Sequence, residues 1–222
     1  MPMRVLELFC GTKSVGKVCD QLGWESISVD MEKKFNPTHL CNIMDFDYKQ
    51  YPKNYFDIVW GSPPCTQYSR LQDAWIGRVR KGTIYTKEIQ ENNMKEADKL
   101  VLKTLEIIDY FDCEYWFMEN PQGKMKDREI LKDKFYHVID YCMYSDWGYR
   151  KRTCIWTNKE DWVGLKCNGN CGNMVGKLHK TNLGNADRIK RANVENVNKH
   201  SVANLHDRYR VPENLILSLF LE

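Results

Sequence analysis

The most informative stretch of this sequence is Asp57-Ile58-Val59-Trp60-Gly61-Ser62-Pro63-Pro64-Cys65. The apolar run before the glycine predicts a buried strand. The two prolines hold the following backbone extended and remove its amide donors, so that Cys65 is presented rigidly just beyond the strand. Open α/β sheets place their active sites at this edge. Cys65 is therefore a candidate nucleophile, and a buried cysteine in a tight turn is the alternative interpretation.

The composition is typical of a globular domain. Hydrophobic residues make up 42% of the 222 residues and aromatic residues 12%, enough for one α/β domain with a sizeable core. No apolar run is long enough to span a bilayer, and the first residues lead directly into a strand pattern, so we expect neither a membrane segment nor a signal peptide. Nine cysteines in such a chain indicate reduced thiols and an intracellular protein, cytoplasmic or nuclear.

The charge is distributed unevenly along the chain. Residues 150–210 contain 13 Lys or Arg and 5 Asp or Glu, a net charge of +8. Because the whole chain carries +3, the remainder carries −5. A basic C-terminal third on an acidic body favours contact with a polyanion, and a solvated basic surface without a partner is the alternative.

Strand and helix patterns alternate through most of the sequence. Strands are predicted at 4–9, 26–30, 40–45, 57–60, 115–119, 137–143 and 153–157, the last two as a hairpin. Helices are predicted at 14–22, with Gly23 as the stop, at 91–110 and at 212–220, and a long loop at 66–90. This order predicts an α/β fold with a mostly parallel sheet covered by helices on both faces. Residues 164–204, rich in Asn, Gly and Lys, are expected to form a loop or small subdomain.

The turn after the first strand has two interpretations. The segment from Gly11 to Lys17 has the spacing of a phosphate-binding loop, but Val18 stands where a Ser or Thr would hold magnesium. In the second interpretation Phe9-Cys10-Gly11 lets a small ligand approach the backbone, and the following helix offers free amides. Asp30 ends the second predicted strand, where an acid can bind a ribose hydroxyl, and Asp45 ends the third, where an acid can accept from an adenine amino group. The glycine turn and the acids at successive strand ends together favour an adenosine-bearing cofactor. Each acid alone is also compatible with a helix cap or a turn.

Cys65 and Glu119 both lie at predicted ends of central strands, so we expect them to face one crevice. A thiolate beside a carboxylic acid, without a convincing partner histidine, suits attack on an electron-poor ring. The thiolate would add to carbon 6 of a cytosine, a protonated Glu119 would donate to ring nitrogen 3, and carbon 5 would become nucleophilic. Burial favours the protonated acid. Arg150 and Arg152 are the expected positive neighbours of the thiol.

In this order along the chain, the motifs resemble those of the cytosine-5 DNA methyltransferases. The resemblance covers residues 1–157 and rests on four segments. Leu8-Phe9-Cys10-Gly11 is similar to the family's cofactor turn, and Pro63-Pro64-Cys65 is similar to its catalytic loop. Glu119-Asn120-Pro121 is similar to its Glu-Asn-Val segment, and Arg150-Lys151-Arg152 is similar to its Arg-x-Arg strand. With the segment 11–17 and the closing segment 208–212, the pattern is most similar to compact members from phages and large DNA viruses, which lack a full target-recognition domain.

The resemblance implies a Rossmann-like, S-adenosylmethionine-dependent methyltransferase fold. It implies a catalytic domain at 1–157, a reduced recognition insert at 158–205 and a C-terminal helix segment at 206–222. The implied catalytic residues are Cys65 as nucleophile, Glu119 as acid, and Arg150 and Arg152, which hold the base and its phosphates. The implied S-adenosylmethionine contacts are Phe9, Gly11, Asp30, Asp45, Trp60 and Pro63. The implied partner is duplex DNA with the target cytosine flipped out.

The chain departs from the family pattern at Lys13, Thr66 and Pro121, and in the small size of its recognition insert. A short insert buries little DNA surface, so we expect short or relaxed sequence specificity, or a further protein partner. Two alternatives stay open. One is a homologue that binds nucleic acid or cofactor without turnover. The other is an amino-group methyltransferase, which acts on N4 of cytosine or N6 of adenine. The segment Ser62-Pro63-Pro64 also resembles the Ser-Pro-Pro-aromatic motif of that class.

A possible metal site lies in the insert. Cys167, Cys171 and His179 have spacings compatible with part of a zinc site, which would help to hold a segment with little core. A structural site needs a fourth ligand, and Cys154, His200 and His206 are the candidates. Two cysteines in a Gly-rich turn are the alternative.

Overall fold

The structure is a computed structural model that describes residues 2–181 and 208–222. Its helices and strands are, in chain order, β1 (Arg4–Leu8), α1 (Ser14–Leu22), β2 (Glu25–Asp30), β3 (His39–Leu40), β4 (Ile58–Gly61), β5 (Val79–Arg80), β6 (Thr83–Ile84), α2 (Lys87–Phe111), β7 (Tyr115–Pro121), β8 (Tyr136–Asp140), β9 (Arg152–Thr157), β10 (Met174–Val175), β11 (Leu178–His179) and α3 (Glu213–Leu221).

A seven-stranded sheet organises the chain, in the order β3-β2-β1-β4-β7-β9-β8. The first five of these strands are parallel, and β9 runs antiparallel to both β7 and β8. In the register, Leu8 lies opposite Gly61 and Gly61 lies opposite Met118, so the carboxyl ends of β1, β4 and β7 meet at one edge. The predicted α/β, Rossmann-like fold with a mostly parallel sheet is confirmed, as is the hairpin of the last two strands.

Helices cover both faces of this sheet. On one face, α1 and α3 pack over Val5, Ile58 and Trp60. On the other face, α2 packs over Leu6 and Val59. Alternate residues of one strand point to opposite faces, which is why neighbouring positions of β1 and β4 serve different cores.

The helix α2 crosses close to the end of β4. A Cβ atom placed on Gly61 would lie 2.7 Å from the Cγ2 atom of Thr104, which is closer than two carbon atoms can approach. Glycine at this position therefore allows the helix to lie directly against the strand that leads to Cys65.

Two predicted segments differ from the structure. The third strand is only two residues long, because the Asn42 side chain accepts a bond from the Met44 amide and starts a turn over Ile43–Asp45. The long loop is shorter than predicted, since β5 and β6 form a hairpin within it and α2 already begins at Lys87. The Thr86 hydroxyl caps that helix by accepting a bond from the Ile89 amide.

The C-terminal third is partly described. Residues 164–181 contain the hairpin β10–β11, and the rest of the predicted insert, 182–205, lies outside the described residues. The predicted domain boundaries therefore remain a prediction. In the described part of the chain, no helix has both the length and the apolar character that crossing a membrane requires.

Candidate active site

Cys65 lies in a fixed loop between the ends of β4 and β7. The carbonyl of Pro63 accepts a bond of 2.7 Å from the Asn120 side-chain amide, and the carbonyl of Cys65 accepts one of 3.1 Å from the amide of Tyr68. Pro63 is buried, whereas Cys65 is partly exposed. The loop thus presents a reachable thiol on a backbone that both strands hold in place.

The far side of this loop is anchored to α2. The buried Tyr68 hydroxyl donates to a carboxylate oxygen of Asp98 at 2.9 Å, and Arg128 binds the same carboxylate at 2.6 Å. The carbonyl of Tyr68 accepts a bond from the Lys124 amide, just beyond β7. These contacts make the Cys65 loop part of the rigid sheet-and-helix frame.

Glu119, in β7, is the acidic group of the site. It is only 5% exposed. Its Oε1 atom accepts a bond of 2.8 Å from the Tyr141 hydroxyl and lies 3.5 Å from the Lys151 ammonium. Burial raises the pKa of Cys65, the charge of Lys151 lowers it, and the charge of Glu119 raises it. Glu119 and Lys151 therefore contact each other, and the charge of each acts on the ionisation of the Cys65 thiol.

Arg150 and Arg152 both bind Asp140. Both guanidinium groups bind the buried carboxylate of Asp140, Arg150 through Nε at 2.9 Å and Arg152 through Nη2 at 3.0 Å. Successive side chains of an extended segment point to opposite sides, so Lys151 between them points toward Glu119. Lys151, and not either arginine, supplies the positive charge beside Cys65, which corrects the sequence prediction. Alternation along an extended segment was the available signal that the lysine and the arginines lie on opposite sides, but it does not tell which side faces Glu119.

The cofactor turn joins the ends of β1 and β2. The amide of Gly11 donates to Asp30 Oδ2 at 2.9 Å, and the amide of Glu32 donates to Asp30 Oδ1 at 2.8 Å. Phe9 and Gly11 have φ angles of 57° and 47°, left-handed values that turn the chain sharply. Asp30 therefore stands beside an open backbone turn, as an adenosine-binding site requires.

The amides at the start of α1 are not free. The Glu7 carboxylate accepts bonds from the amides of Val15 at 3.2 Å and Gly16 at 3.0 Å. Burial raises the pKa of Glu7 to about 7, against the lowering effect of these two bonds. An acidic group on these amides competes with a phosphate, so the arrangement does not favour the phosphate-binding interpretation. These bonds to Glu7 also correct the prediction that the helix offers free amides. The acidic residue inside an apolar strand was the available sequence signal for them.

The remaining predicted cofactor residues lie in different surroundings. Asp45 is exposed in its turn. Trp60 is 1% exposed and packs against Phe117 and Phe220, with ring centroids 5.8 and 6.3 Å apart. That position in the core does not favour the predicted contact of Trp60 with an adenine.

Met31 is a residue that the sequence analysis missed. It directly follows Asp30 and is 67% exposed, which leaves a large apolar side chain accessible at the carboxyl edge of the sheet. Its place immediately after a strand-end acid was the available signal. With Gly11 and Asp30, it fits an adenosine group, which combines hydroxyl groups with an apolar ring.

A polar cleft of about 820 Å³ opens between the start of α1 and the segment 142–147. Trp147 and Arg210 line it, with the guanidinium carbon 4.0 Å from the indole centroid. Neither Cys65 nor Glu119 lines this cleft. We therefore locate the candidate chemistry by the charged contacts around Cys65 and not by the cleft.

The predicted metal ligands come together with a different fourth residue. Cys167, Cys171 and His179 meet Cys142, and their ligand atoms all lie within 4.8 Å of one another. Cys154 lies in β9 within the core and is not part of this group. His200 and His206 lie outside the described residues. Cys142 was missed because the turn that carries it is distant in sequence.

A comparison with curated proteins finds a viral relative. No protein-family model matches the chain. It is 40% identical over 178 residues to the "Probable DNA (cytosine-5)-methyltransferase" of Frog virus 3 (isolate Goorha), an alignment that covers 78% of this chain and 79% of the viral protein.

Two solved structures are similar to it at low identity. The Entamoeba histolytica methyltransferase EhMeth is 17% identical with a TM-score of 0.47, over 71% of this chain and 53% of that one. The S. pombe Dnmt2 methyltransferase is 14% identical with a TM-score of 0.41, over 71% of this chain and 49% of that one. The chain spans about half the length of each.

Proposed function

The chain belongs to the DNA (cytosine-5)-methyltransferase family, and we propose that it transfers a methyl group from S-adenosylmethionine to carbon 5 of cytosine in DNA. The observation that carries this proposal is the grouping of Cys65, Glu119 and Lys151 at the carboxyl ends of β4 and β7. A nucleophile with an acid and a cation near it is what covalent attack on a cytosine ring needs.

Cys65 is the proposed nucleophile. Its thiol first releases its proton to solvent, and the thiolate sulfur then donates an electron pair to carbon 6 of the cytosine and forms a carbon–sulfur bond. Burial disfavours the thiolate, because a charged sulfur loses its hydration there, and the Lys151 ammonium partly offsets this effect. The bond from the Asn120 side chain to the carbonyl of Pro63 holds the loop that carries Cys65. A sulfur held in one direction loses less entropy when it attacks the ring.

Glu119 is the proposed acid. It gives a proton to ring nitrogen 3 as the sulfur adds, so that carbon 5 gains the electron density needed for methylation. Tyr141 and Lys151 hold its carboxyl group from two sides. After methylation, the carbon-5 proton leaves to a solvent base, the carbon–sulfur bond breaks, and Glu119 recovers the proton from nitrogen 3. The aromatic ring and the free thiol are then restored.

The proposed cofactor contacts are Phe9, Gly11, Asp30, Met31 and Asp45. The carboxylates accept bonds from ribose hydroxyls and the adenine amino group, and Met31 covers the apolar ring. Bound S-adenosylmethionine supplies the electrophilic methyl group. The buried Glu7 carboxylate on the helix amides is compatible with a cofactor that bears a positive sulfonium and no phosphate.

Arg150 and Arg152 are the proposed contacts to the DNA backbone. Their side chains remain 36% and 40% exposed while Asp140 holds them, so each guanidinium keeps donors that a phosphate can accept. The target cytosine must leave the stack to reach Cys65. The small recognition segment is proposed to give short or relaxed specificity, or to act with a further protein partner.

A trapping experiment tests the proposed chemistry. Duplex DNA containing 5-fluorocytosine, mixed with the protein and S-adenosylmethionine, should give a slower band on a denaturing gel. Fluorine at carbon 5 cannot leave as a cation, so the Cys65 adduct cannot collapse. The band should disappear in Cys65→Ala and without the cofactor, and it should persist in Cys113→Ala, whose thiol lies at the other end of the sheet before β7.

A missing band in protein whose melting temperature rises with S-adenosylmethionine would contradict the proposal. It would favour a homologue that binds cofactor without turnover. Methyl transfer that survives in Cys65→Ser would instead favour an amino-group methyltransferase, whose chemistry needs no thiol.

A further inference from the structure

We propose that Cys142, Cys167, Cys171 and His179 bind one zinc ion that holds the segment after β9 to the sheet. The four ligand atoms lie within 4.8 Å of one another. They come from three places in the chain: the turn Tyr141–Met143 after β8, the loop 167–171, and the end of β11. One ion would therefore join a sheet strand, a loop and a hairpin.

The separations among Cys167, Cys171 and His179 fit ligands of a tetrahedral ion. The sulfur atoms of Cys167 and Cys171 are 3.5 Å apart, and the His179 Nε2 atom lies 3.7 and 3.4 Å from them. Usual zinc–sulfur and zinc–nitrogen bond lengths at tetrahedral angles give about 3.8 Å between sulfurs and about 3.6 Å between sulfur and nitrogen. A disulfide would need about 2.05 Å, and all three cysteines are free.

The surroundings orient the ligands. The amide of Gly169 donates to the Cys167 sulfur at 3.4 Å. The buried Asn173 side chain donates to the carbonyl of Cys142 at 2.9 Å and accepts from the amide of Gly148 at 3.0 Å. Bonds of this kind around the ligands are a regular feature of metal sites, because they fix the direction of each ligand.

The local core is too small to hold this segment without further help. The three cysteines are 3%, 2% and 9% exposed, yet the apolar cluster that they form contains only Met143 and Met174 besides them. The hairpin β10–β11 has two residues in each strand, and such a hairpin is marginal in water by itself. Three thiolates and an imidazole in tetrahedral arrangement select zinc among common metals.

The site also bears on the DNA-binding arginines. The Asp140 carboxylate that binds Arg150 and Arg152 also accepts a bond of 2.9 Å from the backbone amide of Cys167. Zinc at Cys167 would fix this amide, and through it the carboxylate. The zinc proposal itself stands on the ligand geometry and does not depend on catalysis.

Metal analysis of the purified full-length chain, kept reduced, tests the proposal. Mass spectrometry of the metal content should find about one zinc per chain. Replacement by Co²⁺ should give the visible absorption of a tetrahedral site, with sulfur-to-metal bands of an intensity that corresponds to three thiolates. Iron in place of zinc would overturn the identity of the metal. Less than about a tenth of a zinc per chain, without cobalt absorption, would overturn the site.

Two buried cysteines provide a matched comparison. Cys142→Ser should lose about a third of the sulfur-to-cobalt intensity, since one of three thiolates is gone, and should release zinc to a chelator faster. Cys154→Ala, which alters an equally buried thiol in the core, should keep both properties. Equal spectra for the two variants would overturn the assignment of Cys142. If Cys142→Ser does not fold, the intensity of the wild-type cobalt spectrum decides between three thiolates and two.

Discussion

Lys151 links the two groups that the proposed chemistry needs. Its ammonium lies 3.5 Å from the Glu119 carboxylate, donates to the carbonyl of Arg208 at 3.2 Å and lies 4.6 Å from the centre of the Tyr141 ring. It is also the positive charge that lowers the pKa of Cys65 against the effect of burial. Because burial is the largest of these effects, the pKa of Cys65 stays above its ordinary value, and the lysine makes ionisation of the thiol less costly.

The variant Lys151→Met should make Cys65 harder to ionise. Removing a positive charge disfavours the thiolate, so the pKa of Cys65 rises further and less thiolate exists at any given pH. The midpoint of Cys65 alkylation by iodoacetamide, followed by peptide mass spectrometry, should move upward by about one pH unit. Lys151→Arg keeps the charge and should move it less. An unchanged profile in folded Lys151→Met would contradict the role of this charge.

Individual residues of the site were predictable where the motif itself contains the chemistry. Cys65 follows two prolines, and Glu119 ends an apolar strand, so both could be named from the sequence. The different contacts of Lys151 and of its neighbouring arginines could not be predicted, because they depend on which side of the strand faces Glu119. Cys142 was likewise hidden, since only the fold brings its turn to Cys167.

At the level of elements, the contact between β4 and α2 determines where the Cys65 loop begins. Gly61 ends the strand, and Thr104 of α2 lies directly over it. The Thr104 hydroxyl is bound to the carbonyl of Leu100, so the methyl group is the part that faces the strand.

The variant Gly61→Ala should destabilise the protein by about 1 to 3 kcal/mol, because its methyl group overlaps that of Thr104. Thr104→Ser removes the opposing methyl group and keeps the hydroxyl, so the double variant should recover much of the loss. Urea unfolding of the wild type, both single variants and the double variant measures the coupling between them. Strictly additive losses would show that the two groups do not meet.

Local signals explain which elements could be predicted. The helix at Ser14–Leu22 was predicted with these bounds, because a glycine such as Gly23 favours a helix end. In the structure Gly23 has the left-handed φ of 67° that this position needs. The third strand was expected to reach Asp45, but the Asn42 side chain diverts the chain into a turn after two strand residues. Short side-chain bonds of this kind compete with the apolar pattern, and the pattern alone does not reveal them.

At the level of the whole molecule, the alternation of strands and helices was enough to predict a parallel sheet with helices on both faces. The order of its strands was not, because pairing between strands far apart in the chain leaves no periodic signal. The antiparallel position of β9 beside β7 is what brings Lys151 to Glu119. The site is therefore a product of the sheet order as much as of the motifs.

The stability of the whole molecule should depend on pH through Glu7. The pKa of Glu7 is raised from 4.5 to about 7 in the folded protein, so the folded state holds a proton that the unfolded state releases. Stability from this group is fully present below pH 4.5 and is lost as the pH rises through 7. The shift corresponds to about 3 kcal/mol, most of it lost between pH 5 and 8.

The variant Glu7→Gln cannot ionise, so it should lack this component. The free energy of unfolding in urea, measured from pH 5 to 8, should fall more steeply in the wild type than in Glu7→Gln. The other titrating groups are common to both proteins and cancel in the difference. Parallel curves would contradict a raised pKa for Glu7.

The alternation of Arg150, Lys151 and Arg152 limits how the chain can change in length. Inserting or deleting one residue between this segment and Thr153, which pairs with Pro121 and Ile139 in the sheet, would invert the parity of the segment and turn the lysine toward Asp140 and an arginine toward Glu119. A change of two residues would preserve the parity. We therefore expect viable relatives of this protein to vary by even steps between Arg152 and Thr153, and odd steps there to require a compensating bulge.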